Sequence, residues 1–452
     1  MFKRRIEKQL VAWSKKEGRK PLVLRGARQV GKTTIVNQFA QNFDEYLYLN
    51  LELEADKTPF ERFTDVETLV QNLFFIKNKV YNPEKRTLIF IDEIQEVPEA
   101  FNTLRYFYEL MPELAVIAAG SLLETIFNNQ MSFPVGRVEF MVVRPASFIE
   151  FLDAMGEKSA LAQMNALPLN NFAHDRLYDL FHEYALIGGM PEIINQYSNN
   201  RDLVSLKPIY DSILVGYLDD VEKYATSDNK VQIIRHVIKH SFFEVAKRIK
   251  FQGFGNSNYG SKEIGEALRT LEKALLIHLV YPTTNTKLPI IPNARKAPRL
   301  HSLDTGLVNF YAGLQKYIIG TNSLHEIYQG AIIEHLVGQE LLANDFSALS
   351  ALNFWVREKN TSSAEVDYVL SYEGNLIPIE VKSGKIGKLK SLLLFMDDAP
   401  THFAVRIYAG KLAVTQPTTP NNKQFTLLHL PYFLVSQIEK YITWGMAVGE
   451  YE

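Results

Sequence analysis

The stretch from Pro21 to Ala40, PLVLRGARQVGKTTIVNQFA, constrains this chain more than any other part of it. Pro21 to Arg25 is a short apolar run that reads as a buried strand, and Ile35, Val36 and Phe39 recur at helical spacing. Between them, Gly26-Ala27-Arg28-Gln29-Val30-Gly31-Lys32-Thr33 fits G-x-x-x-x-G-K-[ST] in full. A loop that wraps a phosphate must turn its backbone N–H groups inward, and Gly26 and Gly31 permit the turns and the close approach. The helix beginning near Lys32 adds its N-terminal dipole. Lys32 is placed to neutralise the β- and γ-phosphates, and Thr33 to ligate Mg²⁺.

Such a loop needs a second metal anchor, and RTLIFIDEIQEVP supplies one. Thr87 to Ile91 is a continuous apolar run, as a parallel strand buried on both faces requires. It ends in Asp92-Glu93. Asp92 would hold Mg²⁺ through water, and Glu93 would orient or deprotonate an attacking water. The nucleotide-binding set is therefore Gly26, Ala27, Arg28, Gln29, Val30, Gly31, Lys32, Thr33 and Thr34, with ATP and Mg²⁺ as its ligands. A third strand, LAVIAAGS, ends in Ser121. If it lies between the other two, Ser121 reaches the γ-phosphate as a sensor; otherwise it is a turn serine. In FPVGRVEFMVVRPASFIEF, a turn carries Arg137, a strand runs from Val138 to Val143, and a helix starts after Pro145. Arg137 is either a finger that stabilises transition-state charge, in its own chain or a neighbouring one, or a surface arginine.

Several segments in this order resemble prokaryotic AAA-type ATPases of the archaeal ATPase-like branch: LRGARQVGKTT, IFIDEIQEVP, AAGS, GR…RPASFIEF and GGMPE (Gly188 to Glu192). The resemblance spans most of the chain. It implies an additional-strand P-loop fold with sheet order 5-1-4-3-2, a helical lid containing GGMP near the nucleotide, and a C-terminal domain of unknown function. By composition alone GGMP is only a turn.

The chain has 452 residues, too many for one ordinary core. With 46% hydrophobic and 22% charged residues it belongs among globular proteins. It has no cysteine, which excludes disulfides and Cys-based metal sites. The segment MFKRRIEKQLVAW has no secretory h-region, and LAVIAAGSLLETIF is too short and interrupted to span a bilayer. A cytoplasmic protein with no membrane contact is the expectation, and an oligomer is compatible with it.

The net charge of −2 conceals an asymmetry. Lys230 to Arg299 holds thirteen Lys/Arg and four Asp/Glu, a balance of +9 that leaves −11 for the remainder. This basic segment faces either a polyanion such as DNA or plain solvent. VQIIRHVIKHSFFEVAKRIKF reads as a basic helix broken at Gly253, Gly255 and Asn256. Ser261 is placed to cap a second helix, and LIHLVYPTT with KLPIIPN reads as a hairpin. Helix, turn, helix and β-wing form the winged-helix pattern, used on DNA or for packing alone.

The C-terminal part reads α-β-β-β-α-β. HEIYQGAIIEHLVGQELLAN is a helix carrying Glu334, and NFWVRE is a strand. AEVDYVLSY is a strand with Asp367 within it, Gly374-Asn375 turns, and LIPIEVKSG is the next strand. KIGKLKSLLLFM is a helix and THFAVRIYAG a strand. The order resembles the restriction-endonuclease-like fold, whose signature is an Asp on one strand and E-x-K on the next: here Asp367, Glu380 and Lys382. Period-two alternation puts Glu380 and Lys382 on one face. Two carboxylates could hold Mg²⁺, with Lys382 acting on a water or the phosphate and Glu334 completing the site. The other readings are an inherited fold that binds without cutting and a strand that merely ends in charges. The histidines, His301 among them, lack a metal-ligand spacing.

The expected architecture is α/β: an additional-strand P-loop ATPase core over 1–165, a helical lid over 166–227, a winged-helix domain over 228–315 and a restriction-endonuclease-like domain over 316–452. The expected activity is Mg²⁺-dependent ATP hydrolysis coupled to nucleic-acid handling. The rivals are a nucleotide-dependent switch or scaffold for a protein partner and an ATP-gated nuclease.

Overall fold

The computed structural model describes residues 2–121, 136–225, 227–315, 330–359, 362–384 and 387–449. Phe133 to Val135 of the expected turn, His325 to Gln329 of the expected helix, and Lys385-Ile386 lie outside the described residues.

Five parallel strands form the first sheet: β1 (Leu22–Arg25), β2 (Glu45–Asn50), β3 (Thr87–Asp92), β4 (Ala115–Gly120) and β5 (Glu139–Val142). Their spatial order is β2-β3-β4-β1-β5, the expected 5-1-4-3-2 read from the other edge. Every residue of β3 and β4 is buried, which explains their unbroken apolar sequence. Alternation divides the sheet's side chains between two cores. Val23, Leu47, Leu49, Ile89 and Ile91 pack with Phe60, Val70 and Leu104 from the helices Glu54–Glu61, Val66–Ile76 and Pro98–Leu110. Leu22, Leu24, Leu88, Phe90 and Ile117 face the other way, onto Leu10, Ile35 and Phe39 of the helices Ile6–Ser14 and Lys32–Phe39. That second core continues without a break to Tyr441 and Ile442.

Six helices lie between Phe148 and Tyr224. After His174–Ile187 the chain reverses through Gly188 (φ 77°) and Gly189 into Pro191–Asn200. A Cβ on Gly188 would stand 2.2 Å from Asp304 Oδ1, so only glycine fits this crossing.

The helix Asp228–Ser241 ends earlier than its sequence period suggests. Residues after it run beside a later strand instead: Ala246 N–H donates to Leu300 O (2.7 Å) and Ile249 N–H to Pro298 O (2.9 Å). Pairing with that strand outcompetes the helical period. The second helix, Ser261–Lys273, is capped at Gly260, whose N–H donates to Glu263 (2.9 Å). β6 (Ile277–Thr283) then pairs antiparallel with β7 (Arg299–Ser302). The hairpin partner is thus RLHS and not KLPIIPN. Pro289 and Pro292 cannot donate to a ladder, and Leu288 and Ile290 instead cover the C-terminal core.

β8 (Asn353–Lys359) pairs parallel with β6 and antiparallel with β9 (Ser362–Val366), giving a four-stranded sheet β7-β6-β8-β9. β10 (Tyr368–Tyr372), β11 (Asn375–Val381), β12 (Phe403–Tyr408), β13 (Ala413–Thr415) and β14 (Thr426–Pro431) form a mixed sheet in the order β10-β11-β12-β14-β13. AEVDYVLSY is therefore two strands that break at Asp367. The β10–β11 turn is Glu373-Gly374, both at positive φ, one residue earlier than expected. The helices Ala331–Ala343, Lys390–Asp398 and Ile438–Gly449 accompany this sheet. Among the described residues no helix is long and apolar enough to cross a membrane.

A buried polar network joins these parts. Glu340 accepts from the Tyr184 hydroxyl (2.6 Å) and the Phe148 N–H (3.0 Å). Burial pushes the Glu340 carboxyl up to about 7 from an ordinary 4.5. Folded protein then keeps a proton that the unfolded chain has already released, so stability falls as pH rises between those values. The contribution of Glu340 is expected to drop by ~3 kcal/mol from pH 4.5 to pH 7. Urea unfolding of wild type and Glu340→Gln at both pH values checks this: the wild type should lose ground to the variant as pH rises, and an equal pH dependence would refute it.

Candidate functional site

The phosphate loop follows the C-terminal end of β1. Gly26 has no room for a side chain, since a Cβ would lie 2.5 Å from Val143 O. Gly31, at φ 93°, starts the helix Lys32–Phe39, and Gln29 also takes a positive φ. Lys32 is buried, and its Nζ donates to the carbonyls of Gly26 and Ala27, both at 3.0 Å. Burial pushes Lys32 down to about 8, against the attraction of Glu93 and Asp92. An ammonium so short of anions favours a polyphosphate.

β3 brings Asp92 to the same edge, where its Oδ2 accepts from Thr33 Oγ1 at 2.7 Å. Burial raises the Asp92 carboxyl, with Glu93 acting the same way and Thr33 and Lys32 opposing. A divalent cation would relieve that cost, so this hydroxyl–carboxylate pair fits Mg²⁺. Glu93 takes a left-handed backbone (φ 53°), and its carboxylate accepts from Gln95 Nε2. Thr33, Lys32 and Glu93 line a cavity of about 560 Å³, whose opposite wall includes Phe2, Pro191, Glu192 and Asn195. Pro191 Cγ lies 3.5 Å from where a Gly31 Cβ would be, so the GGMP turn does stand over the loop.

Other side chains clamp the loop from outside. Arg4 donates to Val30 O (3.0 Å) and Arg144 O (2.6 Å) and pairs with Glu150 (3.0 Å). Arg28 pairs with Asp220 (2.7 Å), while the Tyr217 hydroxyl donates to Arg28 O (2.9 Å). Arg4, Tyr217 and Asp220 carry no motif, and only folding brings them here. β4 does lie between β1 and β3, and Ser121 follows its end with its Oγ buried and unpartnered among the described residues. Arg137 is elsewhere. It precedes β5, whose Glu139 is level with Leu22 at the start of β1, and it pairs with Glu109 (2.8 Å). Roughly 13 Å of strand separates it from the phosphate loop. Within one chain this favours the surface reading: Arg137 leaves from the opposite end of the strands.

A second cluster forms where the C-terminal strands meet. Asp367 Oδ2 accepts from Val381 N–H (2.8 Å), which fixes the bend between β9 and β10 against β11. Glu380 pairs with Lys382, and Glu334 with Arg299. Arg299 also reaches Asp367 (3.3 Å) and Glu365 (2.9 Å), and stacks on Phe354 at 4.5 Å. Burial opposes its charge, but Glu334, Asp367 and Glu365 outweigh burial and keep it protonated. Burial followed by Asp367 drives Glu334 well up, against Arg299, and Glu380 up, against Lys382. The four residues expected from sequence, Glu334, Asp367, Glu380 and Lys382, thus converge. Sequence reading missed Arg299 and Glu365. Arg299 was legible as a lone cation in the apolar run PRLHSL, and Glu365 as the residue one pleat before Asp367. His301 and His335 are buried beside the cluster with their Nδ1 atoms 3.2 Å apart, and burial keeps both low.

These features define a P-loop domain on a parallel α/β sheet. Residues 18–152 match the model of the AAA domain, and the chain thus carries an AAA-type P-loop ATPase domain. Residues 178–317 and 329–432 match models of two domains of unknown function (DUF8612 and DUF4143). No curated protein matches the chain. Among solved structures, it is similar to a Walker-type ATPase of Pyrococcus abyssi, with 15% identity over 69% of this chain and 96% of that one (TM-score 0.44). It is also similar to the Aeropyrum pernix ORC1 protein in complex with DNA, with 12% identity over 70% and 92% (TM-score 0.27). A third is the Thermotoga maritima RuvB Holliday junction branch migration motor, with 13% identity over 62% and 90% (TM-score 0.27).

Thr33→Ala removes the hydroxyl that Asp92 holds. ATP affinity in Mg²⁺ should fall by about 10–100-fold, toward the value in EDTA, while affinity in EDTA stays unchanged. Titration of a fluorescent ATP analogue with and without EDTA measures both, and an unaltered Mg²⁺ effect would remove Thr33 from the metal site.

Proposed function

We propose that the chain hydrolyses ATP with Mg²⁺ and couples turnover to nucleic-acid binding. The contact of Thr33 with Asp92, beside buried Lys32 and in a cavity that Glu93 also lines, carries the first half of this reading. Thr33 and Asp92 would hold Mg²⁺, which supplies charge neutralisation at the phosphate oxygens. Lys32 takes the phosphate charge, Glu93 orients the attacking water, and Ser121 faces the γ-phosphate. Lys32→Ala should abolish or severely weaken ATP binding. Glu93→Gln should bind ATP normally and turn over at least ~10²-fold more slowly. Wild-type hydrolysis by Glu93→Gln would overturn the role given to Glu93.

The nucleic-acid half rests on residues 228–302. Their order of helix, paired segment, short 3-10 turn (Phe254–Asn256), helix and hairpin supports a winged-helix domain. We divide the chain accordingly into core (1–165), lid (166–227), winged helix (228–315) and nuclease-like domain (316–452). Part of the local +9 charge is spent internally. Arg235 pairs with Glu222 (3.2 Å), and Arg248 and Arg299 with Glu365. Lys247, Lys250 and Lys262 are exposed. Reversing these three charges should weaken DNA binding at every sequence and flatten the log–log salt dependence by about one unit for each phosphate left without its lysine. ATP affinity should not change.

One observation favours the scaffold reading instead. The 284–298 loop, where a wing would grip DNA, packs on the C-terminal core through Leu288 and Ile290, and Thr286 Oγ1 donates to Asp398 O (3.0 Å). ATP hydrolysis measured with and without duplex DNA decides between them. Stimulation that weakens steeply with salt supports coupling, and a DNA-independent rate with no binding at low salt supports a protein partner. The convergence of Asp367, Glu380 and Lys382 further supports a nuclease-like site. Mg²⁺-dependent DNA cleavage that disappears in Lys382→Ala, with ATP hydrolysis intact, is its test.

A further inference from the structure

The carboxylate cluster of the C-terminal domain crowds four acids into one place. Glu334, Glu365, Asp367 and Glu380 face the cations Arg299, Arg248 and Lys382, and Arg406 of β12 stands level with Glu380. Glu380 is 4% exposed, and its Oε2 is buried with no hydrogen-bond partner among the described residues. Ionising a carboxyl left unpaired at such depth is costly, and a cation there would relieve that cost. Yet among the described residues no three side chains of the ligating types stand so as to hold one ion. The guanidinium of Arg299 already sits among Glu334, Glu365 and Asp367.

The geometry points to Arg299 as a built-in counter-cation that keeps this cluster closed to divalent metal, so that its withdrawal is the step that opens a cation site formed by Glu334, Asp367 and Glu380. The inference rests on the nuclease-like reading only in taking the cluster as a cation site, and it does not require cutting. Arg299 is suited to leave. It is the first residue of β7, directly after the 284–298 loop. β7 is paired on both sides, with β6 and with the segment 245–249, so it is the side chain alone that has to rotate away from the cluster. The carboxylates it would release are anchored independently: Asp367 by Val381 N–H, and Glu380 by its place inside β11. A flat guanidinium satisfies several carboxylates at once but gives none of them the compact ligand shell of a metal ion. Retaining Arg299 therefore neutralises the cluster without making it reactive.

The test uses the full chain without nucleotide and Mn²⁺ as probe, with bound ions counted by equilibrium dialysis. Wild type should hold no Mn²⁺ that Glu380→Gln abolishes. Arg299→Met should hold one additional Mn²⁺ per chain, at least about tenfold more tightly than wild type, and lose it when combined with Glu380→Gln. Mn²⁺ should also raise the melting temperature of Arg299→Met more than that of wild type, and Glu380→Gln should erase the difference. Should Arg299→Met fail to fold, Arg299→Gln removes the same charge with a polar side chain, and it should bind Mn²⁺ more tightly than wild type. Wild-type Mn²⁺ binding that Glu380→Gln removes would overturn the gate, as would folded Arg299→Met or Arg299→Gln with no gain in binding. Mn²⁺ binding by Arg299→Met without DNA cleavage leaves the gate standing and removes only the nuclease reading; loss of ATP hydrolysis touches neither.

Discussion

The carboxylate of Asp304 holds together parts of the chain that sequence separates. It accepts from Gly189 N–H (2.5 Å) in the turn over the phosphate loop, caps the helix Thr305–Tyr311 through Leu307 N–H (3.2 Å), and meets Gln339 Nε2 (3.3 Å). Burial raises its carboxyl to about 6, and the N–H donors at Gly189 and Leu307 pull the other way. A group buried at that cost is stable only because every donor is in place. The glycines answer the same constraint: Gly306 would put a Cβ 2.0 Å from Ile187 O, so turn and cap close on each other with no side chain between them. The unbroken core from the ATPase sheet to the last helix is built around this junction.

Both candidate sites solve one electrostatic problem, and they solve it oppositely. In the phosphate loop a buried cation, Lys32, lacks an anion and leans on two backbone carbonyls. In the C-terminal cluster buried carboxylates crowd together and Arg299 answers three of them. The first arrangement invites a polyphosphate. The second is already partly satisfied, which is why matching the residue types of a metal site falls short of having one.

The N-terminal half was legible because its signals are local. Buried parallel strands must be apolar without interruption, and the phosphate loop must place its glycines and lysine at fixed spacing, so the loop and Asp92 as its companion could be anticipated, while the sheet order was implied only by the family resemblance. Glu380 and Lys382 were legible for the same reason, since alternation alone puts them on one face. What stayed hidden depends on partners distant in sequence. Nothing near Val245 says that it will pair beside Leu300 and not extend a helix. KLPIIPN looks like a strand because it is apolar, but it is apolar because it covers the C-terminal core. Arg299 counted toward a basic surface when its role is internal. A charge count treats every lysine and arginine as exposed, and only the fold separates those facing solvent from those facing carboxylates.

The short segment from Arg299 to Asp304 touches both sites. Its first residue stands in the carboxylate cluster, His301 contacts Tyr368 (3.3 Å), whose hydroxyl donates to Glu334 O (2.7 Å), and its last residue holds the turn above the nucleotide cavity. Within it, β7 is a ladder-bonded strand, so it resists internal stretching better than it resists sliding against a neighbour. A shift of the GGMP turn must therefore either break the Gly189–Asp304 bond or be carried along the segment toward Arg299. The connection is mechanical, but whether it couples the sites depends on a second resting position for the segment, since packed elements transmit change between discrete arrangements and not by continuous strain. The carboxylate cluster supplies the ingredient for such a pair of states: an arginine that can neutralise it, and an unpartnered Glu380 Oε2 that another cation can satisfy when the arginine has gone.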